Sequence, residues 1–436
     1  MRHLIAPPLL LLLAACGLSG TDRNDAEEEG ATAATADASA VDPLASRDPA
    51  PGERMQEEIA DSEQRPLMQA QVVLDRQGFG PGVIDGNMGI STRNALEGFQ
   101  EANDLEITGE LDEATRRALA RWNNIPATRV VTIPESWSRI SFQPVPDNPA
   151  EQAQMEALGY ESLDEKLAER FHTTVEVLRQ LNPGGRPAGM AAGTAGQGGA
   201  TGQGGATGQR GATGQGSLPR TGATASPSPT PSPTATRSPA AGASPRAGST
   251  TAAAPQSTFR PGQMVRVPNV GADRIDRASV DNQDWLRTLA SLGVGTEQPK
   301  LSRLVVSEGG GWLKGYDKDD RLVVTFTVTT GSQNDPLPLG EWGITGVGRN
   351  PTFSYNPELF WDVPDSDAKQ QLPPGPNGPV GVVWIDLTKE HYGIHGTPEP
   401  ETIGRTQSHG CVRLTNWDAA RLAQMVDTST KVIFEA

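Results

Sequence analysis

At 436 residues the chain has room for two to four domains. Yet 49 glycines, 36 prolines and an aromatic share of only 5% point to ordered modules joined by solvated linkers, not to one large globule. A formal net charge of −16 with no dense Lys/Arg cluster excludes nucleic acid as a partner, because phosphate binding needs a basic patch.

The N-terminus reads MRHLIAPPLLLLLAACGLSG. Arg2 and His3 precede an apolar run from Leu4 to Ala15, too short to span a bilayer and suited to the apolar part of an export signal. Leu13, Ala14, Ala15 and Cys16 resemble a bacterial lipobox, in which small residues admit the signal peptidase and Cys16 becomes the lipidated first residue. A plain signal peptide that happens to contain Cys16 is the alternative. With Gly17 and not Asp after the cysteine, the resemblance implies an exported, lipid-anchored envelope protein, sorted in a Gram-negative cell to the outer membrane and facing the periplasm. An acylated Cys16 leaves Cys411, the other cysteine, as a free and reactive thiol. Residues 17 to 54 are rich in Ala, Asp, Glu and Thr and read as a disordered tether.

From 64 to 122 the pattern gives three helices. Leu67, Val72, Val73 and Leu74 mark the first, Ser91 or Thr92 caps a second carrying Ala95, Leu96 and Phe99, and the stretch from Thr108 to Asp112 leads into a third. Gly78, Gly82, Asp85, Gly86, Gly89, Thr92, Ala95, Phe99 and Gln100 fall at the spacing of the peptidoglycan-binding domain type 1 family, which residues 55 to 125 resemble. That resemblance implies glycan strands of the wall as a partner.

Next, 160 to 184 gives two short amphipathic helices, one with Leu163, Leu167 and Phe171 and one with Val175, Leu178 and Leu181. A strand follows far downstream at 259 to 270, after a Pro-Gly turn. Residues 150 to 184 with 258 to 270 resemble a LysM module of β-α-α-β order, split by an insert at 185 to 257; two packing helices followed by linker are the alternative. His172, beside a Phe on an amphipathic helix, reads as structural. The insert holds a six-residue Gly repeat and then a Ser/Pro/Thr run, neither able to bury apolar surface, and is expected to be disordered. The wall-binding modules and the C-terminal part are therefore expected to fold independently and to be joined loosely.

Beyond Lys300, β-branched and aromatic residues alternate between Gly/Pro turns, giving a mainly β domain over 298 to 436 with a short helix near 417 to 427. Here YGIHGT and SHGCVRL stand together, with the twelve residues Gly396 to Gln407 between His395 and the second motif. A thiol nucleophile needs a base, a group that orients the base and donors for an oxyanion. Cys411 and His395 supply the first two members, and the backbone around Gly410 can supply donors.

These two motifs, with PLGEWGITG upstream, resemble the catalytic domain of the L,D-transpeptidase (YkuD-like) family over about 300 to 436. The resemblance implies a β-sandwich in which Cys411 attacks a peptide carbonyl. His395 is then the base, oriented by the carbonyl of Gly396; Ser408 and His409 shape the loop; the amides of Gly410 and Cys411 form the oxyanion hole; and Arg413 holds the acidic substrate. His391, four residues earlier on the same expected strand and about 13 Å along it, is assigned to structure or the substrate rim. The implied reaction joins peptidoglycan stem peptides through a cysteine thioester, or attaches a lipoprotein to the wall, with no metal or other cofactor. Two alternatives stay open at this stage: an L,D-carboxypeptidase or hydrolase of the same fold, and a non-catalytic wall-tethering lipoprotein.

Overall fold

The computed structural model describes residues 59–190, 257–359 and 368–436. The export segment, Cys16, the 16–54 tether and nearly all of the 185–257 insert lie outside them. Among the described residues, no helix is long and apolar enough to cross a membrane.

The first module has α1 (Pro66–Arg76), a two-residue strand β1 (Phe79–Gly80), α2 (Ile90–Ala102) and α3 (Glu113–Leu119). Leu74, Leu96 and Phe99 are fully buried among them. Two buried glutamines tie the loops to the helices: Gln71 Oε1 accepts from the amide of Gly86 at 2.7 Å, and Gln100 Oε1 accepts from the amides of Thr108 and Gly109, each at 2.9 Å. Thr92 is not the cap expected of it. Its hydroxyl accepts from Gln71 at 3.0 Å, and the helix begins after Gly89 without a side-chain cap.

The second module pairs β2 (Thr128–Thr132) antiparallel with β3 (Met264–Pro268). Between them in sequence lie α4 (Pro149–Gln152), α5 (Leu163–Arg170) and α6 (Val175–Leu181). Ser162 and Thr174 cap α5 and α6 by accepting from Glu165 and Val177 amides, and Leu167, Phe171, Leu178 and Val267 fill the core. The two expected helices are α5 and α6, with the four-residue α4 ahead of them, and the first strand is the short run TRVVT, ahead of the boundary placed at 150. Ordered packing also extends past 185: Ala188 is buried, and its carbonyl accepts from Arg266 Nε at 2.9 Å.

A linking helix α7 (Gln283–Leu292) is capped by Asn282 and ended by Gly293 at φ 68°. Ten strands and one helix follow: β4 (Arg303–Ser307), β5 (Trp312–Tyr316), β6 (Leu322–Thr327), β7 (Gly340–Arg349), β8 (Phe353–Tyr355), β9 (Gln370–Leu372), β10 (Val383–Leu387), β11 (Gly393–His395), β12 (Val412–Arg413), α8 (Asn416–Met425) and β13 (Lys431–Glu435). The hydrogen-bonded order is β1-β6-β5-β4-β13-β7-β10-β11-β12.

This is one continuous sheet, in place of the two separate sheets a sandwich implies. The ten-residue β7 pairs with β13 over Gly340 to Gly343 and with β10 over Ile344 to Arg349, so a single strand joins both halves. The sheet then curls until Thr329, just past β6, exchanges hydrogen bonds of 2.8 and 3.1 Å with Arg413 in β12. The inner faces of both halves meet around α8, whose Trp417 is fully buried.

The expected loose joining of modules is corrected by the packing. β1 of the first module extends the sheet by pairing parallel with β6. A side chain on Gly98 of α2 would meet the Thr325 hydroxyl of β6 at 2.2 Å, so the Thr325 side chain packs directly on the helix backbone, as glycine permits. Lys314 of β5 pairs with Glu101 of α2 at 2.5 Å.

Deeper in, Asp75 of α1 receives Arg421 of α8 through two bonds of 2.9 and 2.8 Å, and it meets His172 of the second module at 3.2 Å. The His172 ring lies flat on Trp417, centroids 5.0 Å apart. His172 is thus structural, and it is one member of a buried charge network shared by all three modules. Linkers suggested independence because composition reports where chain is solvated; it does not report which faces of the ordered parts are apolar.

Candidate active site

β11 and β12 run parallel with Ile394 beside Val412 and His395 beside Arg413. Cys411 is the residue just before β12 begins, so the register runs the segment that carries the thiol alongside the strand that carries His395.

Around Cys411 the loop is held from both sides. Ser408 Oγ donates to the Cys411 carbonyl at 2.6 Å, and the Ser408 amide donates to the Thr330 carbonyl at 3.0 Å. Gly410 has φ 94°, and a methyl there would come within 2.5 Å of the Tyr392 ring; both the backbone angle and the ring demand glycine. The half-buried Cys411 thiol donates to the His391 carbonyl at 3.8 Å. His391 is not on β11: it occupies a turn at φ 67° with its imidazole 61% exposed beside Glu390. It meets the nucleophile with its main chain, and β11 begins only after this turn, at Gly393.

His395 is buried. Its Nδ1 lies 2.7 Å from the Gly396 carbonyl. A carbonyl only accepts, so Nδ1 carries the proton and Nε2 is the basic nitrogen. Trp384, its partner across β10, stacks on the ring at 5.4 Å between centroids, which fixes the ring plane. Burial pushes the His395 pKa down to about 3, and the Arg413 charge adds to this while the Gly396 bond opposes it. Burial pushes the Cys411 thiol up, against the pull of the Gly393 amide and Arg413. Both shifts favour the uncharged forms, the thiol over the thiolate and the imidazole over the imidazolium.

A third layer supports the base. Asn416, fully buried at the start of α8, crowds Gly396 so closely that a methyl there would lie 2.3 Å from its Oδ1. Asn416 also accepts from the Val382 amide at 3.2 Å and donates to Glu169 of the second module at 2.7 Å. Glu169 is held up at about 7 by burial, opposed by its bonds to Tyr160 and Asn416. Sequence reasoning missed Trp384, Tyr392 and Asn416. For Trp384 the register of GVVWIDL against YGIHGT would have signalled the contact, whereas Asn416 and Glu169 meet only through tertiary packing.

With this geometry in hand, residues 305–434 match the family model described as the L,D-transpeptidase catalytic domain, and residues 64–119 match the one described as a putative peptidoglycan binding domain. The chain carries both domains.

Among similar proteins is the putative L,D-transpeptidase YkuD of Bacillus licheniformis, 36% identical over 130 residues, 30% of this chain and 63% of that protein. Another is the probable L,D-transpeptidase YbiS of Escherichia coli K12, 41% identical over 136 residues, 30% of this chain and 44% of that protein. This chain thus spans about half to under two thirds of the curated relatives it matches. Among solved structures, L,D-transpeptidase 3 of Mycobacterium tuberculosis is 16% identical with a TM-score of 0.27, covering 41% of this chain and 76% of that one.

Proposed function

We propose that the L,D-transpeptidase domain works as a cysteine acyltransferase on peptidoglycan stem peptides, and that an export signal and a lipid on Cys16 hold it at the envelope. The observation that supports the catalytic reading is the pairing of β11, which carries His395, with β12, which Cys411 directly precedes, together with the His395 tautomer set by Gly396.

As the thiol attacks the carbonyl of the third stem residue, a bond forms from Sγ to that carbon and the thiol proton passes to His395 Nε2. The amides of Gly410 and Cys411 face the developing oxyanion. The bond to the terminal D-Ala then breaks, its amine taking the proton from His395, and a thioester remains. An amine of a neighbouring stem attacks this carbonyl and gives its proton to Nε2. The carbon–sulfur bond breaks, and the thiol is restored.

Arg413 serves the carboxylate of the donor and steadies the thiolate as it forms. Ser408 keeps the Cys411 carbonyl turned away from the attacking sulfur, and His409 shapes the same loop. The shifts toward the uncharged forms suit this role, since the proton then moves only when substrate is in place.

Digesting sacculi after incubation with purified protein and weighing the muropeptides tests the reading. The expected outcome is new stem-to-stem cross-links, absent with Cys411→Ala. Stems merely shortened by one residue would replace the amine acceptor with water, and no change at all would overturn the reading.

A further inference from the structure

The loop that opens α2 and the loop that leads to Cys411 share one groove. A depression of about 480 Å³ has Ile90 on one wall, the turn Gly309 to Gly311 on its floor and Thr330, Gln333, Thr406 and Gln407 opposite. Its catalytic side is continuous with the nucleophile, because the Thr330 carbonyl accepts from the Ser408 amide and Ser408 in turn holds Cys411. The walls touch as well: a methyl on Gly404 would meet the Ile90 side chain at 3.2 Å.

We infer that this groove binds the neutral glycan strand of the wall, so that one stretch of sugar chain is gripped jointly by the wall-binding module and the catalytic loop. The chemistry of the lining makes the choice. Its polar side chains are amides and hydroxyls, with Glu308 the one ionisable group and no Lys or Arg among the lining residues. Arg405, between the lining residues Gly404 and Thr406, stands at the rim, where a methyl on Gly89 would lie 3.7 Å from its guanidinium; the lining itself suits hydroxyl and acetamido groups, which donate and accept without charge.

The glycine floor lets a flat ring approach the backbone. Ile90, 42% exposed, offers apolar contact for the faces and methyl groups of the sugars. The groove adds a use for the close packing of the modules: a sugar chain held there brings its stems beside Cys411 without a search through solvent.

This inference rests on the function proposed above, so its test reads binding separately from catalysis. Fluorescently labelled chito-oligosaccharide, the neutral β-1,4 N-acetylglucosamine backbone without lactyl groups or stems, is titrated against the full chain by anisotropy. Ile90→Ala alters the wall-module side and Gln333→Ala the catalytic side; thermal melts confirm that both remain folded. Each variant is expected to weaken binding at least 5-fold, and to raise the KM for glycan-borne stems in proportion, without a matching fall in kcat.

Weakening by Ile90→Ala alone would place the sugar on the wall module by itself and overturn the joint groove, as would binding indifferent to both changes. Binding lost in both variants, with wild-type protein inactive on every stem substrate, would retain the groove and remove the proposed reaction.

Discussion

Replacing Asp75 with alanine tests whether the modules form one body. Asp75 is 1% exposed and takes both guanidinium bonds from Arg421, itself 4% exposed. Burial alone would raise its pKa, but Arg421 and His172 outweigh that and hold it well below the usual carboxylate range. Removing one partner of a buried pair costs about 3–5 kcal/mol because the remaining charge is stranded. Asp418 and Asp273 lie 3.8 and 3.9 Å from Arg421 and can take up part of the charge, so the lower end applies, about 3 kcal/mol.

At about 2–4 °C per kcal/mol for a body of this size, calorimetry should show the melting temperature falling by about 6–12 °C. It should fall as a single transition that carries the catalytic domain with it. Two separate transitions, with only the earlier one moving, would refute the shared network. A shift below about 2 °C would show that Arg421 does not depend on Asp75.

Three further outcomes follow from the same contacts. Because burial raises the Cys411 thiol above its ordinary value of 9.0, its alkylation by iodoacetamide should keep accelerating above pH 9; a plateau below pH 7 would mean a preformed thiolate. Glu169, raised from 4.5 to about 7, contributes stability that is fully present below 4.5 and lost as pH rises through 7. Wild type should therefore lose about 3 kcal/mol more than Glu169→Gln across that window, read by chemical denaturation of both at pH 4.5 and 8.5, the part due to Asp418, also raised, to about 6, being common to the two; equal pH slopes would contradict the raised carboxyl. For Cys16, a serine variant should leave the membrane fraction for the soluble one while still being exported, and soluble wild-type protein with a different N-terminal residue would remove the lipid anchor.

Much of the chemistry was legible before any coordinates, because it sits in short, locally spaced motifs. The three-helix module follows from apolar spacing and turn glycines, and the β texture after Lys300 from alternation. The GIHGT and SHGC motifs pointed to neighbouring segments, and β11 and β12 do pair, with Cys411 just ahead of β12.

What escaped depends on contacts between distant segments. β2 is a five-residue run that gains its meaning only by pairing with β3, some 130 residues later. β1 joins a sheet whose other strands begin more than 200 residues downstream. His391 looked like a strand residue because a left-handed turn leaves no mark in a histidine. The network of Asp75, His172 and Arg421 was invisible because each residue alone reads as an ordinary charge on a helix.

The central claim is that Cys411 becomes acylated with His395 as base. Intact-protein mass spectrometry after mixing the full chain with a stem tetrapeptide, quenched in acid at short times, tests it most directly. A mass gain equal to the stem less its terminal D-Ala is expected on the wild type, mapped to Cys411, absent in Cys411→Ala and formed far more slowly in His395→Ala. An adduct that persists in Cys411→Ala, or maps to another residue, would contradict it.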